Sequence, residues 1–186
     1  IFNTAIGHSV LRSNTTGTVN NAFGYLALFS NTTGNRNVAI GTYSLCANTT
    51  GSANTAVGVN SLRNNSASQN TGVGYLALFT NTTGTNNTAV GTQALRLNTT
   101  GISNTAVGTC ALYANTTGIN NVALGTSALQ ANTTGTRNVA IGVEALLLNT
   151  VGYGSTAIGT CALGNSQTGV FNVAVGCFAS AYNNGG

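Results

Sequence analysis

A glycine returns along the whole chain at Gly7, Gly24, Gly41, Gly58, Gly74, Gly91, Gly108, Gly125, Gly142, Gly159 and Gly176. Nine of the ten intervals are 17 residues, and the remaining one, from Gly58 to Gly74, is 16. A fixed period of this size is the mark of stacked supersecondary units, each of which buries its apolar face only against its neighbours. It therefore predicts an elongated array over residues 1–186 rather than a globule around one grafted site. Repetition of this kind builds length and surface, and seldom a catalytic centre.

Aligned on the glycine, the repeat reads N-T/V-A-V/I-G-T-x-A-L-x-x-N-T-T-G-x-x. The residues before the glycine are rich in Val, Ile and Thr, which predicts a short strand with a side-chain period of two. One face would carry pairs such as Val38 and Ile40 or Thr55 and Val57, and the other Ala39 and Gly41 or Ala56 and Gly58. The larger face is expected to fill the interior. The small Ala-Gly face, including Gly24, Gly41, Gly58, Gly91, Gly108 and Gly125, is expected where another sheet approaches closely. Four residues after the glycine, ten of eleven repeats carry Leu, among them Leu45, Leu95, Leu112 and Leu129. Burying one Leu is worth roughly 1.5–3 kcal/mol, so this column is read as core. The T-x-A-L segment fits either a second strand or one capped helical turn.

An NTTG segment then reads as a tight corner, because Asn and Gly tolerate left-handed backbone. Stacked Asn side chains at this corner, and at a second column before each strand (Asn20, Asn37, Asn54 and onward), can hydrogen-bond one another up the array. The expectation is an all-β solenoid, a β-roll or β-helix of about eleven 17-residue coils. Rungs ~4.8 Å apart would give a rod on the order of 50 Å long. The 16-residue interval, with a corner glycine missing near Ser68, is where a kink or a break in the surface is expected. The chain opens and closes in mid-repeat, at Ile1 and at residues 183–186, and is read as a segment of a longer fibre without visible caps.

Only Arg12, Arg36, Arg63, Arg96, Arg137 and Glu144 are charged, 3% of the chain, while 42% is apolar. That balance opposes disorder, which needs high charge or few apolar residues. The scattered arginines do not form the clustered basic face of a nucleic-acid partner. No apolar run approaches the length of a membrane helix, so no membrane insertion is expected.

The NTAVG/NVAIG box followed by AL and NTTG resembles the repeats of bacteriophage tail-fibre-like proteins. It is also similar to the NSVAIG-type head repeats of trimeric autotransporter adhesins. The resemblance covers essentially all 186 residues. It implies a left-handed homotrimeric β-roll or β-helix, displayed on a virion or cell surface outside the cell, serving as adhesin head or fibre shaft. The repeat here is longer than the autotransporter one, which implies a longer corner or an extra turn.

Site chemistry is sparse. His8 and Glu144 stand eight repeats apart, too far to converge for catalysis, and no cofactor or metal site is expected. Of Cys46, Cys110, Cys161 and Cys177, only Cys161 and Cys177 sit close enough in the repeat to pair, with small apolar fillers as the plainer reading. Asn14, Asn31, Asn48, Asn81, Asn98, Asn115 and Asn132 fall in Asn-x-Thr sequons and would be glycan sites in a secretory context, although the corner geometry alone generates the motif. The look-alike segments at 25–29 and 75–79 concentrate aromatics and are read as contact bands. The expected function is a self-associating structural or adhesive surface fibre or filament, without chemistry, with a cell-surface or glycan ligand. The alternative is an ice- or polysaccharide-binding solenoid that uses the repeated Thr/Asn array.

Overall fold

The computed structural model describes residues 2–180. The terminus at 183–186, read above as uncapped, lies outside the described residues. Within them the chain is a β-solenoid of about ten turns, roughly 17 residues each, with eleven three-residue strands from β1 (Thr4–Ile6) to β11 (Val173–Val175). The strands form one parallel sheet in strictly sequential order. Register is constant: Val38, Ala39 and Ile40 lie on Thr55, Ala56 and Val57. With parallel rungs ~4.8 Å apart, the ten spacings span about 50 Å.

Strand-like hydrogen bonding continues well beyond the three strand residues. In the middle of the array the N–H groups of Leu112 and Ala114 donate forward to Ala128 and Gln130, at 3.0 Å each. Those of Gly125 and Ser127 donate backward to Val107 and Thr109, at 2.8 and 2.9 Å. Most of each coil is thus held by its neighbours, as backbone groups removed from water require.

The facing of the strand is the reverse of the expectation from residue size. Ala22, Ala39, Ala56, Ala89, Ala106, Ala123 and Ala140 point inward and are fully buried. The Val, Ile and Thr side chains on either side of them point out. The interior has room for little more than a Cβ at this position. At Gly72, the one central turn where Ala is missing, an added Cβ would lie 2.6 Å from Ser61 Oγ and 3.2 Å from Leu62 Cγ. A coil of 17 residues brings its opposite walls so close that Ala is the largest side chain the inner strand face accepts.

The rest of the interior comes from the Leu column, from the Ala or Ser before it, and from two Asn columns. The T-x-A-L segment is neither strand nor helical turn. Its x residue and its Leu both take left-handed backbone, as at Cys110 (φ 56°) and Leu112 (φ 51°). A third left-handed position precedes the Asn that leads into the strand, for instance Val19 (φ 60°) before Asn20 and Asn86 (φ 58°) before Asn87. Each such non-glycine residue costs roughly 1–2 kcal/mol locally. The coil therefore closes against backbone preference, at the expense of burial and ladder hydrogen bonds.

The 16-residue turn neither kinks nor breaks the array. β4 (Thr55–Val57) pairs with β5 (Thr71–Val73) in the common register. Nor is the missing residue the corner glycine. Ala67 occupies the corner, its carbonyl accepting from Asn65 and Asn54 at 2.8 Å each. Gln69 keeps the left-handed position that follows (φ 62°), so the residue deleted is the second corner threonine.

Candidate functional site

Function is sought in the columns that the stacking produces. The inner ladder is one of them. At every central turn the corner carbonyl accepts two amides. Gly118 O takes Asn104 Nδ2 at 2.8 Å and Asn115 Nδ2 at 3.2 Å. Most corner amides, and several of the second column, also reach the turn before, as Asn115 Nδ2 does to Asn98 Oδ1 at 2.8 Å and Asn121 Nδ2 to Asn104 Oδ1 at 3.2 Å. The backbone N–H of Asn121 donates to the same Asn104 Oδ1 at 3.0 Å. Amide ladders of this kind satisfy every member only if the column stays regular, and a half-satisfied network is costly. Where the column changes, the ladder frays. Asn48 Oδ1 has no partner at the turn preceding the 16-residue coil, and neither does Asn149 Oδ1, where Ser166 replaces the next Asn.

These amides are also the sequon positions. Asn31, Asn48, Asn81, Asn98, Asn115 and Asn132 are buried, and their nitrogens are donors within the coil. Asn14 is half-buried in the first turn and makes the same corner bond at 3.0 Å. A glycan on any of these nitrogens would displace an interior hydrogen bond, so the folded coil does not present them for attachment. The sequons follow from the corner geometry.

Glycine plays two parts. The marker glycines Gly24, Gly41, Gly58, Gly91, Gly108 and Gly125 have φ between 128° and 137°, a region that side chains rarely enter. A Cβ on Gly125 would lie 2.5 Å from Gly142 O. The close approach that these glycines permit is turn upon turn within one sheet, rather than between sheets. Leu45, Leu95, Leu112 and Leu129, four residues further on, are fully buried in the core.

The outer surface divides into three stripes. At the corner, Thr116 N, Thr117 N and Gly118 N all donate to Thr133 O, joined by Thr116 Oγ1 at 3.1 Å. The first corner Thr is thereby spent on the ladder, and the second, such as Thr100, Thr117 or Thr134, stands exposed. The stripe beyond the Leu column carries arginines over rings: Arg63 lies 4.7 Å from the Tyr43 ring centroid and 6.0 Å from that of Phe79. Arg12 covers Phe29 at 5.8 Å, and Arg96 covers Tyr113 at 5.7 Å while donating to its hydroxyl at 2.8 Å. The look-alike aromatic segments split between inside and outside: Leu28 and Leu78 are core, while Tyr25 and Tyr75 face solvent. The third stripe is the outward face of the sheet, an unbroken column of Ile, Phe, Val and Leu at the last strand position.

His8 and Glu144 do not meet. His8 stacks on Tyr25 with centroids 5.5 Å apart, and Glu144 accepts from the Cys161 thiol at 3.5 Å, eight turns away. Cys161 and Cys177 are both free thiols, as are Cys46 and Cys110. Phe178, not Cys177, occupies the position that continues the Cys161 column, so the two sulfurs stand in adjacent columns and the expected disulfide is not formed. Burial pushes the Cys46 thiol above its ordinary value, only partly opposed by Arg63. No cluster of three or more His, Cys, Asp or Glu is placed to hold a metal among the described residues. No helix among them is long and apolar enough to cross a membrane. Comparison with protein-family models, curated proteins and solved structures returned no match to the chain.

Proposed function

We propose that this chain is a subunit of a structural and adhesive surface fibre or filament, in which stacked turns set length and display a repeated Thr- and Asn-rich surface. The observation that carries this reading is the strict one-turn register of the sheet, with Ala on Ala through nearly every rung. Such an array gains length without new architecture and presents one surface motif many times, which converts weak contacts into avidity. The sequence resemblance supports an extracellular location on a cell or virion and a left-handed homotrimeric assembly. A cell-surface or glycan ligand is the partner chemistry that fits a polar, nearly uncharged surface. The mechanism is rigidity and multivalent contact without catalysis, cofactor or nucleic acid. Electron microscopy of the purified chain, with multi-angle light scattering, tests this. Rods or filaments of more than one chain are expected, and a compact monomer at every concentration would refute it.

A second reading has its own observation. The exposed second corner threonines form a column at rung spacing, as ice or a polysaccharide binder would use, although it is interrupted at the 16-residue turn and at Val151. Thermal hysteresis in solutions of the chain is the expected result under that reading, and its absence removes the ice version.

A further inference from the structure

We propose that the outward face of the parallel sheet is the surface on which a second copy of this chain seats, strand face to strand face. This rests on the self-assembling fibre reading above and names the surface that such assembly uses.

The face is built from the first and last residues of each strand. The last position is apolar in all eleven turns: Ile6, Phe23, Ile40, Val57, Val73, Val90, Val107, Leu124, Ile141, Ile158 and Val175. It is not covered from within the chain, since Ile40, Val90, Val107, Ile141 and Ile158 are 36–41% exposed in mid-array. Beside it, the first strand position carries Thr or Val in all but one turn, where Asn21 stands. Beyond the glycine follow Thr42, Thr92, Thr109, Thr126 and Thr160, mixed with Tyr25, Val59, Tyr75 and Val143, with His8 and Cys177 in the first and last turns. An apolar centre line flanked by hydroxyl-bearing residues is the core-and-rim anatomy of a protein–protein interface.

Charge placement points the same way. All six charged residues lie elsewhere: Arg12, Arg63 and Arg96 beyond the Leu column, Arg36 and Arg137 before the inner Asn, and Glu144 at the left-handed position after the glycine. A chain that keeps its few charges off one long face keeps that face free of desolvation cost on pairing. The extent is sufficient. A strip about 50 Å long and about 13 Å wide, from rung and residue spacings, covers on the order of 650 Å² per copy. Two copies would bury about 1,300 Å², within the range of specific interfaces. The occupant is taken to be the chain itself because the face repeats at rung spacing, so a second copy matches it turn for turn along its whole length. Phe23, Tyr25 and Tyr75 interrupt its flatness, which a crystalline lattice would not match and a partner's side chains can.

The test is sedimentation velocity and light scattering of the wild-type chain, of Val90→Lys/Val107→Lys on this face, and of Thr100→Lys/Thr117→Lys on the corner. Far-UV circular dichroism establishes that each variant is folded. A gentler variant, Val90→Thr/Val107→Thr/Ile141→Thr, uses residues already found in this sheet and guards against misfolding of the Lys pair. The wild type and the corner variant are expected to assemble alike. The Lys pair is expected to weaken assembly about 100-fold or more and the Thr triple about tenfold, through buried like charge and lost apolar contact. Folded face variants that assemble as the wild type does would overturn this inference and leave the fibre reading standing. A wild type that remains monomeric would overturn both.

Discussion

The marker glycines allow a test that separates backbone conformation from crowding between turns. Gly125 and Gly176 have the same unusual backbone, with φ 137° and 125°. Their surroundings differ. A Cβ on Gly125 would meet Gly142 O at 2.5 Å and Gly142 C at 2.6 Å, whereas one on Gly176 would meet, among the described residues, nothing nearer than Ala179 Cβ at 4.0 Å. Alanine at either position incurs the conformational cost, roughly 1–3 kcal/mol. At Gly125 the next coil must also recede from 2.5 Å to an ordinary contact of 3.4 Å, a shift of about 0.9 Å. The bonds spanning that gap are Gly142 N to Leu124 O at 2.8 Å and Glu144 N to Thr126 O at 2.9 Å. Lengthened by that much, both leave the hydrogen-bonding range, adding about 0.5–1.5 kcal/mol each. Gly125→Ala should therefore cost about 2–6 kcal/mol and Gly176→Ala about 1–3 kcal/mol. Urea unfolding followed by circular dichroism measures the difference. Amide hydrogen exchange should show protection lost at Gly142 and Glu144 in Gly125→Ala alone. Equal destabilisation by the two substitutions, with unchanged exchange at Gly142, would refute the crowding argument.

Other perturbations follow from the inner ladder and the strained positions. Asn98→Ala removes the bonds to Asn81 Oδ1 at 2.7 Å and Gly101 O at 3.0 Å and takes the acceptor from Asn115; a loss of about 3 kcal/mol or more is expected in the urea midpoint. Val19→Asn places, at a half-exposed left-handed position, the residue type that Asn86 and Asn120 supply in other turns, and should raise the midpoint by about 1 kcal/mol. Inserting a threonine between Ser66 and Ala67 is combined with Ala67→Gly, because a Cβ at the full-length corner would press on the corner Asn and the next turn's carbonyl as at Gly84. The pair of changes restores the 17-residue turn and lets Asn65 reach the orphaned Asn48 Oδ1, for a gain of about 1 kcal/mol in the same assay. A midpoint that falls on this insertion would show that the short corner is better closed than the regular one.

The period, the Leu column and both Asn columns were legible because each depends on residue type at a fixed interval. The orientation of the strand was not. Size and hydrophobicity favour Val and Ile inside, as at Val38 and Ile40, and only the thinness of the coil, seen at Gly72 against Ser61 and Leu62, reverses that order. The left-handed turn after the glycine was equally hidden. Leu has no preference for φ near 51°, so nothing in T-x-A-L announces it. The shortened corner was misplaced for a similar reason: Asn65-Ser66-Ala67-Ser68 can be aligned with either Thr or Gly omitted, and the carbonyl of Ala67 decides the matter by accepting the amides that a corner glycine takes elsewhere. The surface stripes were visible as compositions but not as faces, since which columns look outward depends on the reversed strand.

The constant register has a consequence for how the chain finds its fold. A coil that slides by one whole turn meets the same Ala, Leu and Asn columns it left, so most contacts give no information about which rung belongs on which. Position along the array is encoded only where the pattern lapses. The 16-residue coil is one such address, because a slip would set a shortened corner against a full one and orphan a second amide. The Ser61–Gly72 pair is another: Ser61 Oγ donates to Gly72 O at 2.8 Å and occupies the space that Ala fills in the neighbouring turns. An array without such lapses would be easier to extend and harder to align.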